Sequence, residues 1–406
     1  MRKLALMLAL CAVLMTTSSL VASASASRDR EPGAEARRLV EESEVEGGLA
    51  VHLGCGDGRL TAALGQQGRF VVHGLEVDAA QVEAARAHID SRGLYGRVSV
   101  QQWNGADLLY ADNLVNLLVV EERGQLTREE MMRVLAPGGV LCSRDGAQWS
   151  FQQKPRPQNI GEWSHYLHDG SNNAVTRDEV VAPPYHMQWE GRPKYSRQHE
   201  SLASVSAAVS AGGRIFYIVD RAPAASILLQ PEWALVARDA FSGVVLWERD
   251  ISSWANWRHR FRWGPVQLPR LLVASENRVY TTLELNGPVR ALEASSGKTL
   301  TTYEGTAGTQ EIIHAGHKLY LLIDPAAGKN NADSASHRLV AVNPDSGERL
   351  WQRTEEQPMA LTLAASGGRV FYENDTSIVC LDADSGKRLW KESRPVATDR
   401  PGGAAP

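Results

Sequence analysis

The chain reads as two folds in series: an α/β domain built on a parallel sheet, then an all-β propeller of four or more blades. Three observations predict this. An apolar run ending at Leu53 leads straight into Gly54-Cys-Gly-Asp-Gly58 and a helical segment. Strand-like and helix-like segments then alternate as far as Gln153. From Ala211 onward, a unit of strand, strand, Ser-Gly turn and strand recurs at a spacing of about 40–50 residues, which is propeller-blade length.

Residues 1–26 have the layout of a secretory signal, with Arg2 and Lys3 ahead of an apolar stretch and small-residue cleavage sites at Ala24 or Ala26. The apolar stretch is shorter than the roughly 20 residues that span a bilayer, so export to the periplasm or beyond, without a transmembrane anchor, is expected. A net charge of −4 argues against nucleic acid or an anionic membrane as partner. Without the signal, Cys55, Cys142 and Cys380 remain; they form neither a disulfide framework nor a Cys-x-x-Cys metal signature.

The α/β domain is expected over 33–153. Helices are read at 34–43, 59–64, 79–91 and 127–135, and strands at 49–53, 70–75, 98–103, 114–120, 140–143 and 148–153. Val82, Ala85, Ala87 and Ile89 are expected to give the 79–91 helix its apolar face, and Thr127 with Glu130 forms a capping box. In parallel sheets ligands bind at the carboxyl ends of the strands.

The residues at those ends narrow the ligand. A nucleoside triphosphate loop needs a lysine, and none occurs between Lys3 and Lys154. A dinucleotide loop needs Gly-x-Gly-x-x-Gly, whereas Gly54, Gly56 and Gly58 are spaced one residue tighter. Glu76, ending the second strand, is placed to accept from both hydroxyls of a ribose. Asn104, after the third strand, can read an adenine edge. A glycine turn, a ribose acid and an adenine contact suit S-adenosylmethionine better than NAD.

Val51-His-Leu-Gly-Cys-Gly-Asp-Gly58, Gly74-Leu-Glu-Val-Asp78 and Arg133-Val-Leu-Ala-Pro-Gly-Gly-Val140 together resemble the seven-strand S-adenosylmethionine-dependent methyltransferases. The resemblance implies a Rossmann-like fold in which Gly54, Gly56 and Gly58 line the methionine side and Glu76 binds the ribose. It also implies that Asn104 faces the adenine, where the family usually places Asp. Two departures follow from the sequence. The connection 105–113 has no helical pattern, and the sheet is abbreviated after the fifth strand.

A connector is expected over 154–184, opened by Lys154-Pro-Arg-Pro157. His165, His168 and Asp169 cluster there, but no further ligand follows at metal-site spacing, so a packed linker is expected and no metal. The repeats, over 185–394, begin with a lone strand at 185–189. Their closing Leu-Trp pairs at Trp247, Trp351 and Trp390 should pack between neighbouring sheets, and each Ser-Gly should make a two-residue hairpin. The core of the fourth unit, Leu381-Asp-Ala-Asp-Ser-Gly386, closed by Leu389-Trp390, resembles the pyrroloquinoline-quinone-type propeller repeat. The resemblance implies the propeller fold; with no adjacent Cys-Cys pair, no bound quinone is expected.

Residues 395–406 are expected to form a flexible tail, and the array to be incomplete. The stretch 254–263, which interleaves tryptophans with Arg258, Arg260 and Arg262, reads as a blade-connecting loop. The function expected is S-adenosylmethionine binding by a methyltransferase-like domain, with the propeller recruiting a methyl acceptor or protein partner. Two alternatives stay open: a non-catalytic envelope scaffold with a degenerate Rossmann module, and a quinone-dependent dehydrogenase.

Overall fold

The structure, a computed structural model, describes residues 31–183, 187–194, 204–225, 229–254, 268–327, 336–356, 358–359 and 361–394. The expected signal, the tail and all of 255–263 lie outside them. The chain divides into two units, Met1–Arg156 and Pro157–Pro406.

In the first unit α1 (Pro32–Ser43) precedes β1 (Gly47–Leu53), α2 (Arg59–Gln66), β2 (Arg69–Glu76), α3 (Ala79–Ser91) and β3 (Val98–Gln102). Then come β4 (Val115–Val120), α4 (Arg128–Val134), β5 (Leu135–Asp145) and β6 (Gln148–Gln153). The sheet order is β3-β2-β1-β4-β5-β6, parallel except for β6. Alternation along the strands sorts the core onto two faces. Ala50, Val72, Val100, Leu117 and Val119 pack against α1, α2 and α3. Val51, Leu53, Leu75, Leu118 and Leu141 pack against α4 and the segment after β3.

Two elements differ from expectation. β5 begins at Leu135 rather than 140, because Leu135 already pairs with Val115 and the Pro137-Gly-Gly139 stretch is absorbed as an irregularity before Leu117 meets Val140. The capping box closes on one side only. The Thr127 hydroxyl accepts from the Glu130 N–H at 3.2 Å, while the Glu130 carboxylate turns to Arg133 and to the Leu108 N–H.

Arg133 in turn organises the helix-free connection between β3 and β4. Its guanidinium donates to Glu130 at 2.7 Å, to Asp112 at 2.6 Å and to the Tyr110 carbonyl at 3.0 Å. A planar five-donor group can hold a loop in this way where no helix does.

The described part of the second unit contains four four-stranded antiparallel sheets: β7–β10 (Val205–Ala211, Arg214–Asp220, Trp233–Asp239, Val245–Asp250), β11–β14 (Leu272–Ala274, Arg278–Thr282, Val289–Glu293, Thr299–Thr302), β15–β18 (Thr309–Ala315, Lys318–Ile323, Ser336–Val342, Arg349–Glu356) and β19–β22 (Ala364–Ser366, Arg369–Glu373, Ser377–Asp382, Arg388–Ser393). Each blade therefore starts one strand earlier than the repeat pattern indicates; three of those first strands are short or rich in Ser and Ala, and the other, Thr309–Ala315, mixes polar residues with Ile312 and Ile313. No strand forms over the described residues 187–189.

The Ser-Gly turns are longer than two-residue hairpins. In the first blade, the Gly243 N–H reaches back to the Asp239 carbonyl at 3.0 Å, and the Asp239 carboxylate accepts from the Phe241 and Ser242 N–H groups. Asn343 and Asp382 cap the third and fourth turns in the same manner. The aspartate of the repeat is thus an Asx cap, and the glycine supplies a φ of +67° to +74°.

These turns also join the blades. An aromatic side chain from the preceding segment lies over each turn and donates to the carbonyl three residues before its glycine. Trp189 donates to Ala240 at 3.1 Å, Trp247 to Ala294 at 2.9 Å, Tyr303 to Pro344 at 2.7 Å and Trp351 to Ala383 at 3.1 Å. A Cβ on Gly243, Gly297 or Gly386 would come within 2.3–2.7 Å of an indole ring, so only glycine admits the tryptophan. Trp390 breaks the series. Among the described residues no turn covers it, and it is 38% exposed rather than packed between sheets as expected.

The connector threads the first strands of all four blades. The Ser210 N–H donates to the Trp163 carbonyl at 2.7 Å, Ala274 to Ser164 at 3.0 Å, and Ala365 to Gly170 at 2.7 Å. In the third blade the acceptor is a side chain: His165 Nε2 takes the His314 N–H at 3.0 Å. Burial drives the His165 pKa down to about 3. Nearby, Glu311 is fully buried, receives the Leu361 and Leu363 N–H groups and lies 3.7 Å from Arg270. Burial pushes its carboxyl up to about 7 against the pull of Arg270.

Two outcomes follow. Trp351→Ala should cost about 3–5 kcal/mol in urea unfolding, whereas Trp390→Ala should cost less than about 1 kcal/mol. Unfolded His165 takes a proton near pH 6.5 but the folded residue only near 3, so this group's stabilisation is lost as pH falls through that window. Glu311 has the opposite sense, its contribution declining as pH rises from the ordinary carboxylate range towards 7. Between pH 7 and 5 the wild type should therefore lose about 2 kcal/mol more stability than His165→Gln, whose amide oxygen can still accept from His314.

Candidate functional site

Sequence spacing puts the ends of β1 and β2 side by side, with Leu53 opposite Leu75 in register. The turn after β1 begins with the Gly54 N–H donating to the Leu75 carbonyl at 2.9 Å, and Gly58 closes it on the Cys55 carbonyl at 2.9 Å. Gly54, Gly56 and Gly58 all have positive φ (+69°, +52° and +76°), a conformation costly for residues with a side chain.

The three glycines have different neighbours. A Cβ on Gly54 would lie 2.7 Å from the Glu122 Cβ, and one on Gly58 would lie 2.7 Å from the Ala85 Cβ in α3. A Cβ on Gly56 would meet nothing within 4 Å. Gly54 and Gly58 therefore let the segment after β4 and helix α3 approach, and Gly56 faces open space. Between them Cys55 is buried, its sulfur fitting against Gly74, where a Cβ would sit 2.9 Å from it. Burial raises the thiol pKa to about 12, so Cys55 is an anchor rather than a nucleophile.

Glu76 turns towards this loop. One carboxylate oxygen accepts the Gly56 N–H at 2.8 Å; the other accepts from Val77 at 2.7 Å and Asp78 at 3.2 Å. The carboxylate is half-buried, and these three bonds fill three of its roughly four lone-pair sites, so the oxygen bonded to Gly56 can still accept from one ribose hydroxyl. Asp78 caps α3 through the Ala80 N–H at 2.7 Å, so the acidic strand end and the helix start are fixed together.

Asn104 is exposed, and its oxygen accepts the Ala106 N–H at 3.0 Å and the Asp107 N–H at 3.4 Å. It caps its own turn. Only its amide N–H₂ is left to approach an adenine, as a donor, whereas an Asp in its place would offer a charged acceptor.

His52 escaped the sequence reading. Fully buried in β1, it lies 2.9 Å from the Thr61 hydroxyl and 3.4 Å from the Glu121 carboxylate, linking α2 to the end of β4. Burial pushes the Glu121 carboxyl up, but His52 and Arg144 outweigh it and hold the group below the usual carboxylate range. A histidine two residues before Gly54, inside an otherwise apolar buried strand, is the signal that marks such a brace.

In the connector, both ring nitrogens of His165 are engaged: Nδ1 with the Ser164 hydroxyl at 2.8 Å, Nε2 with the His314 N–H. Among the described residues no cluster of three or more His, Cys, Asp or Glu could hold a metal ion. Cys55, Cys142 and Cys380 are free and buried.

Comparison with known proteins places these features. Residues 50–139 match the family described as a methyltransferase domain, and residues 187–358 and 335–401 match the family described as outer membrane protein assembly factor BamB. Methyltransferase GfsG of Streptomyces halstedii is 35% identical over 116 residues, covering 27% of this chain. The chain spans 41% of the length of that curated relative. Among solved structures, a SAM-dependent methyltransferase from Aquifex aeolicus is 20% identical with a TM-score of 0.24, covering 27% of this chain and 62% of its own. Geranyl diphosphate C-methyltransferase from Streptomyces coelicolor is likewise 20% identical with a TM-score of 0.25, covering 27% and 44%.

The contrast between the glycines is measurable by urea unfolding. Gly56→Ala should cost about 1 kcal/mol, the strain of positive φ alone. Gly58→Ala should cost about 2–4 kcal/mol, since it adds a collision with Ala85.

Proposed function

Because the chain belongs, through residues 187–401, to the propeller family described as outer membrane protein assembly factor BamB and carries a methyltransferase domain ahead of it, we propose that it is an exported protein whose first unit binds S-adenosylmethionine and transfers its methyl group, while the propeller recruits the acceptor or a protein partner. The observation that carries this reading is the Glu76 carboxylate bonded across the turn to the Gly56 N–H, with open space in front of Gly56.

Within the reading, Glu76 accepts from a ribose hydroxyl through the oxygen that also holds Gly56, and the bare Gly56 backbone lets the methionine portion approach. Asn104, its oxygen committed to its own turn, supplies an N–H donor to the adenine edge. Bound S-adenosylmethionine supplies an electrophilic methyl: the acceptor's nucleophilic atom bonds to that carbon as the carbon–sulfur bond breaks, the electron pair stays on sulfur, and the acceptor's proton leaves to solvent. This chain's contribution is position, which can supply much of the rate of an in-line displacement. For the propeller, the support is the fourth described blade, where exposed Trp390 and Leu389 present apolar surface. Export rests on the signal layout of residues 1–26 and on the family to which the repeats belong.

Calorimetry with S-adenosylmethionine and S-adenosylhomocysteine tests the core of this. Micromolar binding is expected, abolished by Gly56→Arg and weakened about ten-fold by Glu76→Gln, which loses the charge-assisted bond. No heat at millimolar ligand would instead favour the non-catalytic scaffold.

A further inference from the structure

We propose that the cavity at the carboxyl ends of β4 and β5 is the methyl-acceptor pocket, and that it selects a small acceptor with an apolar body and an oxyanion, carboxylate or phosphate; this rests on the methyltransferase reading above. The cavity measures about 350 Å³, a size ordinary for small-molecule sites. Its inner wall is Val120, Met131 and Leu141, all buried. An apolar body fits there.

The rim carries the selectivity. Arg123, Arg128 and Arg144 line it against the single carboxylate of Glu121. Arg144 is taken by that carboxylate at 3.0 Å and lies 5.6 Å from the centre of the Trp149 ring. Arg128 donates its Nε to Gln152 at 3.0 Å, which leaves its terminal amino groups for a ligand. Arg123 is exposed and makes no side-chain hydrogen bond or ion pair among the described residues. Two guanidinium forks are thus free at the mouth of an apolar pocket, and a planar fork matches the two oxygens of a carboxylate or phosphate.

The cavity also adjoins the cofactor turn. The Glu121 N–H donates to the Leu53 carbonyl at 3.1 Å, and Glu122 is the residue that Gly54 must lack a Cβ to admit. A ligand between Glu121 and Arg123 therefore lies beside the glycine loop, at the same end of the sheet.

The test is calorimetry on the full chain, with and without S-adenosylhomocysteine, using phenyl phosphate, benzoate and the neutral isostere benzamide. One of the two anions should bind at least about ten-fold more tightly than benzamide, as expected for charge-assisted pairing. Whichever anion wins identifies the oxyanion as phosphate or carboxylate. Arg123→Met and Arg128→Met should each erase most of that preference without shifting the thermal midpoint, and Arg92→Met, on the far end of α3, should leave it intact. Equal affinity for all three probes, or a preference that survives Arg123→Met with Arg128→Met, overturns the proposal. If S-adenosylhomocysteine binds and the anions show no preference, the acceptor class falls while the cofactor reading stands. Arginine-dependent anion binding without any S-adenosylhomocysteine binding would sink the acceptor assignment together with the cofactor reading.

Discussion

Every backbone N–H at a strand end or turn must find an acceptor, and both units are organised around how that demand is met. In the first unit, one carboxylate does it: Glu76 takes the Gly56, Val77 and Asp78 amides and so holds the turn after β1 against the start of α3. In the second, the connector does it, meeting one residue on the first strand of each blade at Ser210, Ala274, His314 and Ala365. Leaving any of these groups buried and unpaired would cost on the order of 1–3 kcal/mol, so the segments that satisfy them are held in place.

The same economy explains the site. A carboxylate that stabilises the turn by accepting backbone amides is already oriented, and the oxygen that takes the Gly56 N–H keeps one acceptor site beside the open space at Gly56. A group held by structural bonds loses little freedom on binding a ligand, which is what preorganisation requires. Arg133 plays the corresponding part on the other side of the sheet, substituting a network of hydrogen bonds for the missing helix between β3 and β4.

In the propeller, regularity comes from one joint used four times: an aromatic over a glycine, with its N–H or O–H on the carbonyl three residues earlier. Tyr303 shows that the joint tolerates a change of ring provided a donor reaches the same carbonyl. Trp390 has the ring and the position but, among the described residues, no turn beneath it.

Much of this was legible in the sequence because it is local. The glycine turn, the Glu76 strand end, the α3 face of Val82, Ala85 and Ile89, and the Ser-Gly punctuation of the blades all follow from residue type and short spacing, where conformational preference and periodicity act directly. What sequence could not supply were decisions made between distant segments. That Gly54 and Gly58 serve packing while Gly56 faces space depends on Glu122 and Ala85 arriving from elsewhere. That His165 is a hydrogen-bond acceptor and not a ligand depends on His314, far along the chain. That Asn104 spends its oxygen on its own turn depends on a loop conformation held by Arg133 and its partners. Local chemistry determined which residues could form a site and a joint; only the tertiary structure, by choosing which polar groups are already satisfied, decided which of them remain free to act.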